Sequence, residues 1–371
     1  MFYLDNLTQL SILREIWIKN QFTRNFIKDQ LSIDKSTVTR NFNAMMDEHI
    51  FFETKEIAPG KKGGRKIQEF ELNSDLCYFI SIAVIDGHIF ARYESLSGKV
   101  IRKTEKNITM KSNEVFIKAI MGCIDELTEG EKKTLDTLLS INIAVPGLVD
   151  STTGIIHFSS DMNLKELHVV QMLQEKYNKH VHVENDANAA AANSLFDSGF
   201  NDERSLYFLF FLPENLLSLK EIGAGIIIDN KIYKGETSSA GEVRIKNDWM
   251  LDNLDQIEAT QLEKLDENLL SENKSMRNYL CNFSERIASV IHFMDPKKVI
   301  LGGDIIKFSD FLRRYTVSKI LEYSSNQRGN DFIQIDQGGI ESVAKGATIS
   351  FLISFFDDFE KAKEILKKQV N

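Results

Sequence analysis

Val183-Glu184-Asn185-Asp186-Ala187-Asn188-Ala189-Ala190-Ala191-Ala192 is the stretch from which the rest of the chain is read. The short apolar run Val181–Glu184 before it predicts a buried strand, and the alanines predict a helix. The join presents an amide and a carboxylate side by side. Both are favoured helix caps, so Asn185-Asp186 can be read as a cap alone. A carboxylate that accepts hydroxyl hydrogens beside an amide that donates and accepts can equally hold a polar ligand. The two readings do not exclude each other.

The chain has 371 residues, enough for two or three domains. Its 43% hydrophobic and 27% charged content is that of a soluble globular protein. The apolar runs Leu206–Leu212 and Ile349–Phe356 are far shorter than the roughly 20 residues needed to span a bilayer. Met1–Leu10 lacks a basic segment before an apolar core, so no secretion signal and no membrane partner are expected. Cys77, Cys123 and Cys281 are odd in number and far apart, which predicts buried thiols in a reducing cytoplasm rather than a disulfide framework or a zinc ribbon. Net charge is -9, yet residues 1–75 hold eleven Lys/Arg and eleven Asp/Glu. A neutral first segment with basic clusters on an acidic body fits nucleic-acid binding confined to one end.

Residues 1–74 predict a winged helix-turn-helix domain. Leu7–Lys19 has helical spacing, with Leu7, Leu10 and Trp17 near one face. Thr23 is positioned to cap a second helix, and Asp34 a third. In the third, Val38, Phe42 and Met45 repeat at core spacing, while Lys35, Ser36, Thr37, Thr39, Arg40 and Asn43 offer groups suited to phosphates and base edges. Two β-rich runs then flank Pro59-Gly60-Lys61-Lys62-Gly63-Gly64-Arg65, a hairpin with a basic tip. The third helix would enter the major groove of double-stranded DNA, and Lys61, Lys62 and Arg65 would lie on backbone or minor groove. The helices alone also fit a dimerisation bundle, and the tip a solvated turn.

Residues 75–371 mix strands and helices in two related halves, which predicts a two-lobed α/β body with a cleft. Strands are expected over Tyr78–Ile85, His88–Glu94, Leu138–Val145 and Lys298–Gly303, and a helix around Leu164–Tyr177. The ordered motifs Val145-Pro146-Gly147-Leu148-Val149-Asp150, Glu184-Asn185-Asp186-Ala187-Asn188-Ala189-Ala190, Gly223-Ala224-Gly225, Ala240-Gly241-Glu242 and Asp295 to Gly303 resemble the ROK family of repressors, open reading frames and sugar kinases. With the winged segment, the resemblance is to the repressor branch. It implies an actin-like (ribonuclease H-like) body with a sugar or sugar phosphate between the lobes, held by Gly147, Asn163, Asn185, Asp186, Glu242 and Glu258. It also implies a homodimer or homotetramer. In the family's kinases the residue matching Asp186 is the base that takes a sugar hydroxyl proton.

Four departures argue against a kinase. The phosphate-binding turn is replaced by Ile82-Ala83-Val84-Ile85-Asp86-Gly87-His88, without the paired glycines and hydroxyl. Pro213–Lys220 is inserted before the Gly-x-Gly run, and Glu221 brings a carboxylate that would repel a triphosphate. The zinc-binding run of the family is absent: Ile245 stands for its histidine and Trp249, Leu251 and Gln256 for cysteines, so no metal is expected. Ile245 also removes a sugar contact. Gly302-Gly303 survives, although a tight turn explains it equally. The expectation is a DNA-binding regulator, a repressor of sugar-utilisation genes, with no catalytic residue and no cofactor. The alternatives are an ATP-dependent sugar kinase and a ligand-independent regulator acting through a protein partner.

Overall fold

The computed structural model describes residues 2–57, 66–85, 87–109, 112–129, 132–160, 162–202, 204–210, 221–244, 274–323 and 330–368. Its first three helices are α1 (Leu7–Lys19), α2 (Arg24–Leu31) and α3 (Lys35–Asp47). Each starts on a side-chain cap, from Asn6, Thr23 and Asp34 respectively. Leu10, Leu13, Ile16 and Trp17 of α1 are buried, whereas Leu7, in the first turn, is exposed. β1 (Gln21–Thr23), β2 (Phe51–Ile57) and β3 (Ile67–Leu72) form an antiparallel sheet in the order β1-β3-β2. Phe22, Phe42, Phe51 and Phe70 close the space between helices and sheet, with ring centroids 4.9 to 6.0 Å apart. This is a winged helix; its expected basic tip, with Lys61, Lys62 and Arg65, lies outside the described residues.

The first lobe of the body is a sheet in the order β11-β7-β4-β5-β6. Its strands are β4 (Tyr78–Ile85), β5 (His88–Ser95), β6 (Val100–Asn107), β7 (Leu138–Val145) and β11 (His180–Asn185), with α4 (Asn113–Thr128) and α5 (Lys132–Thr137) between β6 and β7. A small sheet of β8 (Leu148–Asp150), β9 (Ile155–Ser159) and β10 (Leu164–Leu167) follows β7. The helix expected from Leu164 starts only at Val169, as α6 (Val169–Tyr177). Glu166 takes a left-handed φ of 44°, which bends β10 so that Leu164 and Leu167 are both buried. Their three-residue spacing imitates a helix.

α7 (Asp186–Asp197) leaves β11 and enters the space between the lobes. The second lobe is a six-stranded sheet, β14-β13-β12-β16-β17 with β15 on β13. It comprises β12 (Arg204–Phe210), β13 (Glu221–Ile228), β14 (Lys231–Tyr233), β15 (Glu242–Arg244), β16 (Lys298–Gly303) and β17 (Ile333–Ile335), with α8 (Lys274–Met294) and α9 (Ser309–Tyr323). α10 (Gly339–Asp357) and α11 (Phe359–Lys368) end the described chain. By length and composition α10 is apolar enough to cross a membrane, but its Val343, Ala347, Phe351 and Phe355 are buried inside the protein. A helix apolar on all sides is what a core position requires.

α7 is held on opposite sides. A Cβ added at Gly225 of β13 would lie 2.4 Å from Ala191 Cβ and 2.5 Å from the Ala187 carbonyl oxygen. One added at Gly346 of α10 would lie 1.8 Å from the Ala189 carbonyl oxygen. Alanines on α7 and glycines on its neighbours let three backbones approach closely. The Gly223-Ala224-Gly225 run is therefore explained by helix packing.

Candidate functional site

On α3, Lys35, Ser36, Arg40 and Asn43 are exposed, and Ser36, Arg40 and Asn43 fall on one face. The hydroxyls expected to reach DNA have other partners. Ser36 Oγ and Thr37 Oγ1 both donate to the Asp34 carboxylate, and Thr39 Oγ1 donates to the Lys35 carbonyl at 2.8 Å. The Ser36 and Thr37 bonds hold the Asp34 carboxyl well below the usual range. Arg40 and Asn43 remain the long side chains on the exposed face.

At the cleft, the cap of α7 is Asn185. Its Oδ1 accepts from Asn188 N at 3.1 Å and its Nδ2 donates to the Gly147 carbonyl at 3.0 Å. Gly147 has φ 113°, and a Cβ there would lie 2.2 Å from the Phe158 carbonyl oxygen, so only glycine fits. Asn185 thus ties the loop after β7 to the start of α7. Asp186 is the first helical residue; its Oδ1 accepts from Ala187 N at 2.9 Å and lies 3.9 Å from the Cβ position of Gly223. Gly223 is the register partner of Glu242, which is exposed. Asn163, exposed with φ 50°, precedes Leu164, whose partner Ser159 abuts Gly147. The fold therefore brings Gly147, Asn163, Asn185, Asp186 and Glu242 to one corner between the lobes. Glu258 lies outside the described residues.

Two groups behind this corner were not singled out from the sequence. Glu184 is 1% exposed. Its Oε2 accepts from Lys234 Nζ at 2.6 Å and Ser350 Oγ at 2.7 Å, and its Oε1 accepts from Asn185 N at 3.0 Å. Burial pushes the Glu184 carboxyl up, but Lys234 and these hydrogen bonds outweigh it and hold it below the ordinary range. Lys234 comes from the second lobe and also donates to Ser151 Oγ at 2.6 Å, so one ammonium clasps both lobes. The available signal was a lone acid in an apolar strand, which requires a buried partner. Ser159 Oγ is also buried here, without a hydrogen-bond partner among the described residues.

The departures from the kinase pattern have local causes. Ile85 and His88 are register partners, so the turn at Gly87 closes a tight hairpin. The Gly87 carbonyl accepts from Ile108 N at 2.9 Å. A Cβ on Gly302 would lie 2.2 Å from the Tyr207 hydroxyl, which donates to Asp336. Packing against a tyrosine thus accounts for that glycine. Glu221 opens β13 opposite Arg244 in register. Asp86, the insertion Pro213–Lys220, and Ile245, Trp249, Leu251 and Gln256 lie outside the described residues.

The sequence profile of the ROK family matches residues 94–244. The xylose repressor of Bacillus subtilis (strain 168) is 27% identical over 243 residues, 65% of this chain and 60% of that protein. The DNA-binding transcriptional repressor Mlc of Escherichia coli (strain K12) is 24% identical over 212 residues, 56% of this chain and 50% of that protein. The match to the xylose repressor therefore spans less than two thirds of that protein's length. Among solved structures, a ROK family transcriptional regulator described as a homologue of the E. coli MLC protein has a TM-score of 0.71 at 17% identity, covering 98% of this chain and 100% of that one. A ROK family glucokinase from Streptomyces griseus, in complex with glucose and AMPPNP, has a TM-score of 0.59 at 17% identity, covering 73% of this chain and 97% of that one. These likenesses establish the fold: a winged helix-turn-helix followed by the two-lobed actin-like body.

Proposed function

We propose that this chain, whose residues 94–244 match the ROK family profile, is a DNA-binding transcriptional repressor whose body takes a sugar or sugar phosphate as effector. The observation that carries the reading is a single helix with two ends. α7 starts at the Asn185-Asp186 corner and ends at Asp197, one residue after Phe196, which packs on Trp17 of the winged unit. Arg40 and Asn43 read base edges; Lys35, Lys61, Lys62 and Arg65 contact phosphates. Ser36, Thr37 and Thr39 position the start of α3. Asp186, Glu242, Asn163 and Glu258 accept or donate to sugar hydroxyls, while Asn185 and Gly147 shape the corner. A homodimer or homotetramer sets two copies of α3 about one turn of DNA apart, roughly 34–36 Å.

The test is fluorescence anisotropy on DNA from the gene's own upstream region. It is titrated alone and with D-xylose, D-glucose, N-acetylglucosamine and their phosphates. Specific binding weakened by one of these sugars is expected. Binding no tighter than to random DNA of equal length would overturn the reading.

A kinase is the second reading, favoured by the carboxylate of Asp186 at the corner and the glucokinase-like body. The hairpin sealed at Gly87 opposes it. A coupled assay with ATP and hexoses decides: turnover lost in Asp186→Asn would favour the kinase.

A further inference from the structure

Trp17, on α1, lies against three rings of the body. Its centroid distances are 4.6 Å to Phe196, 5.2 Å to Phe356 and 6.1 Å to Phe200. Phe196 is the penultimate residue of α7 and Phe356 of α10. Both helices trace back to the cleft. α7 begins at its Asn185 cap, and Ser350 of α10 donates to Glu184, which accepts from Asn185 N. α7 meets α10 backbone to backbone where Ala189 faces Gly346, and β13 supports its other side. Twelve helical residues make a rod of roughly 18 Å.

The pair is tightly packed along its length and less so at the indole. A cavity of about 30 Å³ lies beside Trp17, bordered by Glu94, Leu96, Lys345, Ile349 and Leu352. That is room for about two waters. The close crossing stiffens α7 between its cleft end and Phe196, and the space beside the indole allows a small shift of the ring.

We propose that Trp17 is the residue through which the winged unit senses occupancy of the cleft. It is a positioning residue, touching neither effector nor DNA, and its role rests on the repressor reading. Two packings of the indole, one with the cleft empty and one with it filled, would tilt the winged unit differently against the body. Coupling of this kind is typically on the order of 5–150-fold in affinity.

The full chain is used throughout, with Trp249→Phe to leave Trp17 as its single indole. D-Xylose and D-glucose 6-phosphate are the probes, and the upstream DNA is the target. In the Trp17→Ala variant, sugar affinity by calorimetry and DNA affinity without sugar should stay as in the parent. The sugar-dependent change in DNA affinity should collapse to near unity, and Trp17→Phe should restore most of it. Parental coupling in Trp17→Ala overturns the proposal. If that variant does not fold, Phe196→Leu is put through the same titrations and judged by the same outcomes.

If neither sugar binds, the effector part of the repressor reading loses support, but the proposal is still decided without ligand. Asn185→Ala loosens the cleft end of α7. The emission of Trp17 should then shift to the red, with greater quenching by acrylamide. Unchanged emission and quenching overturn the proposal.

Discussion

Gly346→Ala sets two effects of opposite sign against each other. In the interior of a helix, replacing glycine by alanine gains roughly 1 kcal/mol from propensity. In α10, the new Cβ would lie 1.8 Å from the Ala189 carbonyl oxygen and 2.4 Å from its carbon. Both are backbone atoms, so no side-chain rotation relieves the clash. Reaching an ordinary contact of roughly 3.5 Å requires the helices to part by about 1.7 Å. α7 cannot retreat, because Gly223 and Gly225 already bring β13 against its far side. Overpacking of this kind costs about 3 kcal/mol, the upper part of its usual range. The net expectation is a loss of about 2 kcal/mol. Urea unfolding followed by circular dichroism measures it, and the midpoint should fall by roughly 1 M. Gly122→Ala in α4 is the internal control. Its nearest neighbour is the tip of Lys106 at 3.8 Å, so propensity should prevail and the midpoint should rise. A midpoint for Gly346→Ala equal to or above that of the parent would refute the close-crossing argument.

Burial holds the His182 imidazole down to about 3, so it is neutral when folded, while the unfolded chain takes up a proton below about 6.5. Its contribution is therefore complete above pH 6.5 and lost on acidification, by about 2 kcal/mol at pH 5. His182→Gln should flatten the slope of stability against pH between 6.5 and 5, and an unchanged slope removes His182 as its source. Lys234→Met leaves the buried Glu184 carboxylate without its cation; with Ser350 and Asn185 N still bonded, a loss of about 3 kcal/mol is expected. Adding Glu184→Gln should recover part of that loss in thermal melts; no recovery would dissociate the two residues. Arg40→Ala should weaken binding to the upstream DNA by about 1–3 kcal/mol and relax one base position. A footprint identical to the parent's excludes Arg40 from base reading.

What could be read from the sequence was local. Thr23 and Asp34 cap the helices they were expected to cap, because a cap is decided within three residues. Tyr78–Ile85, Leu138–Val145 and Lys298–Gly303 are strands as expected, being short apolar runs. The sheet of β8, β9 and β10 was missed because a bent strand buries leucines three apart, as a helix does. Asn185, rather than Asp186, caps α7, a choice set by the Gly147 carbonyl 38 residues away in sequence. Ser36, Thr37 and Thr39 looked like DNA-facing groups by side-chain type, yet their hydroxyls serve α3 itself. Glu184 in its apolar strand called for a buried cation, but nothing local to either residue marked Lys234 as that cation. At the candidate site, the motif residues were visible as a set; the clasp behind them and the aromatic seam beyond them were not.

The seam at Trp17 also bears on synthesis. α1 leaves the ribosome before α10, and Phe356 follows Trp17 by 339 residues. At about 5–20 residues per second, that interval is roughly 20–70 s. Phe22, Phe42, Phe51 and Phe70 of the winged unit pack on one another and can meet before the body is made. The Trp17 indole must then wait for α10 with an apolar face uncovered. A nascent chain would thus expose the winged unit before the body that covers its indole is complete, and a message cut short before α10 would leave it so.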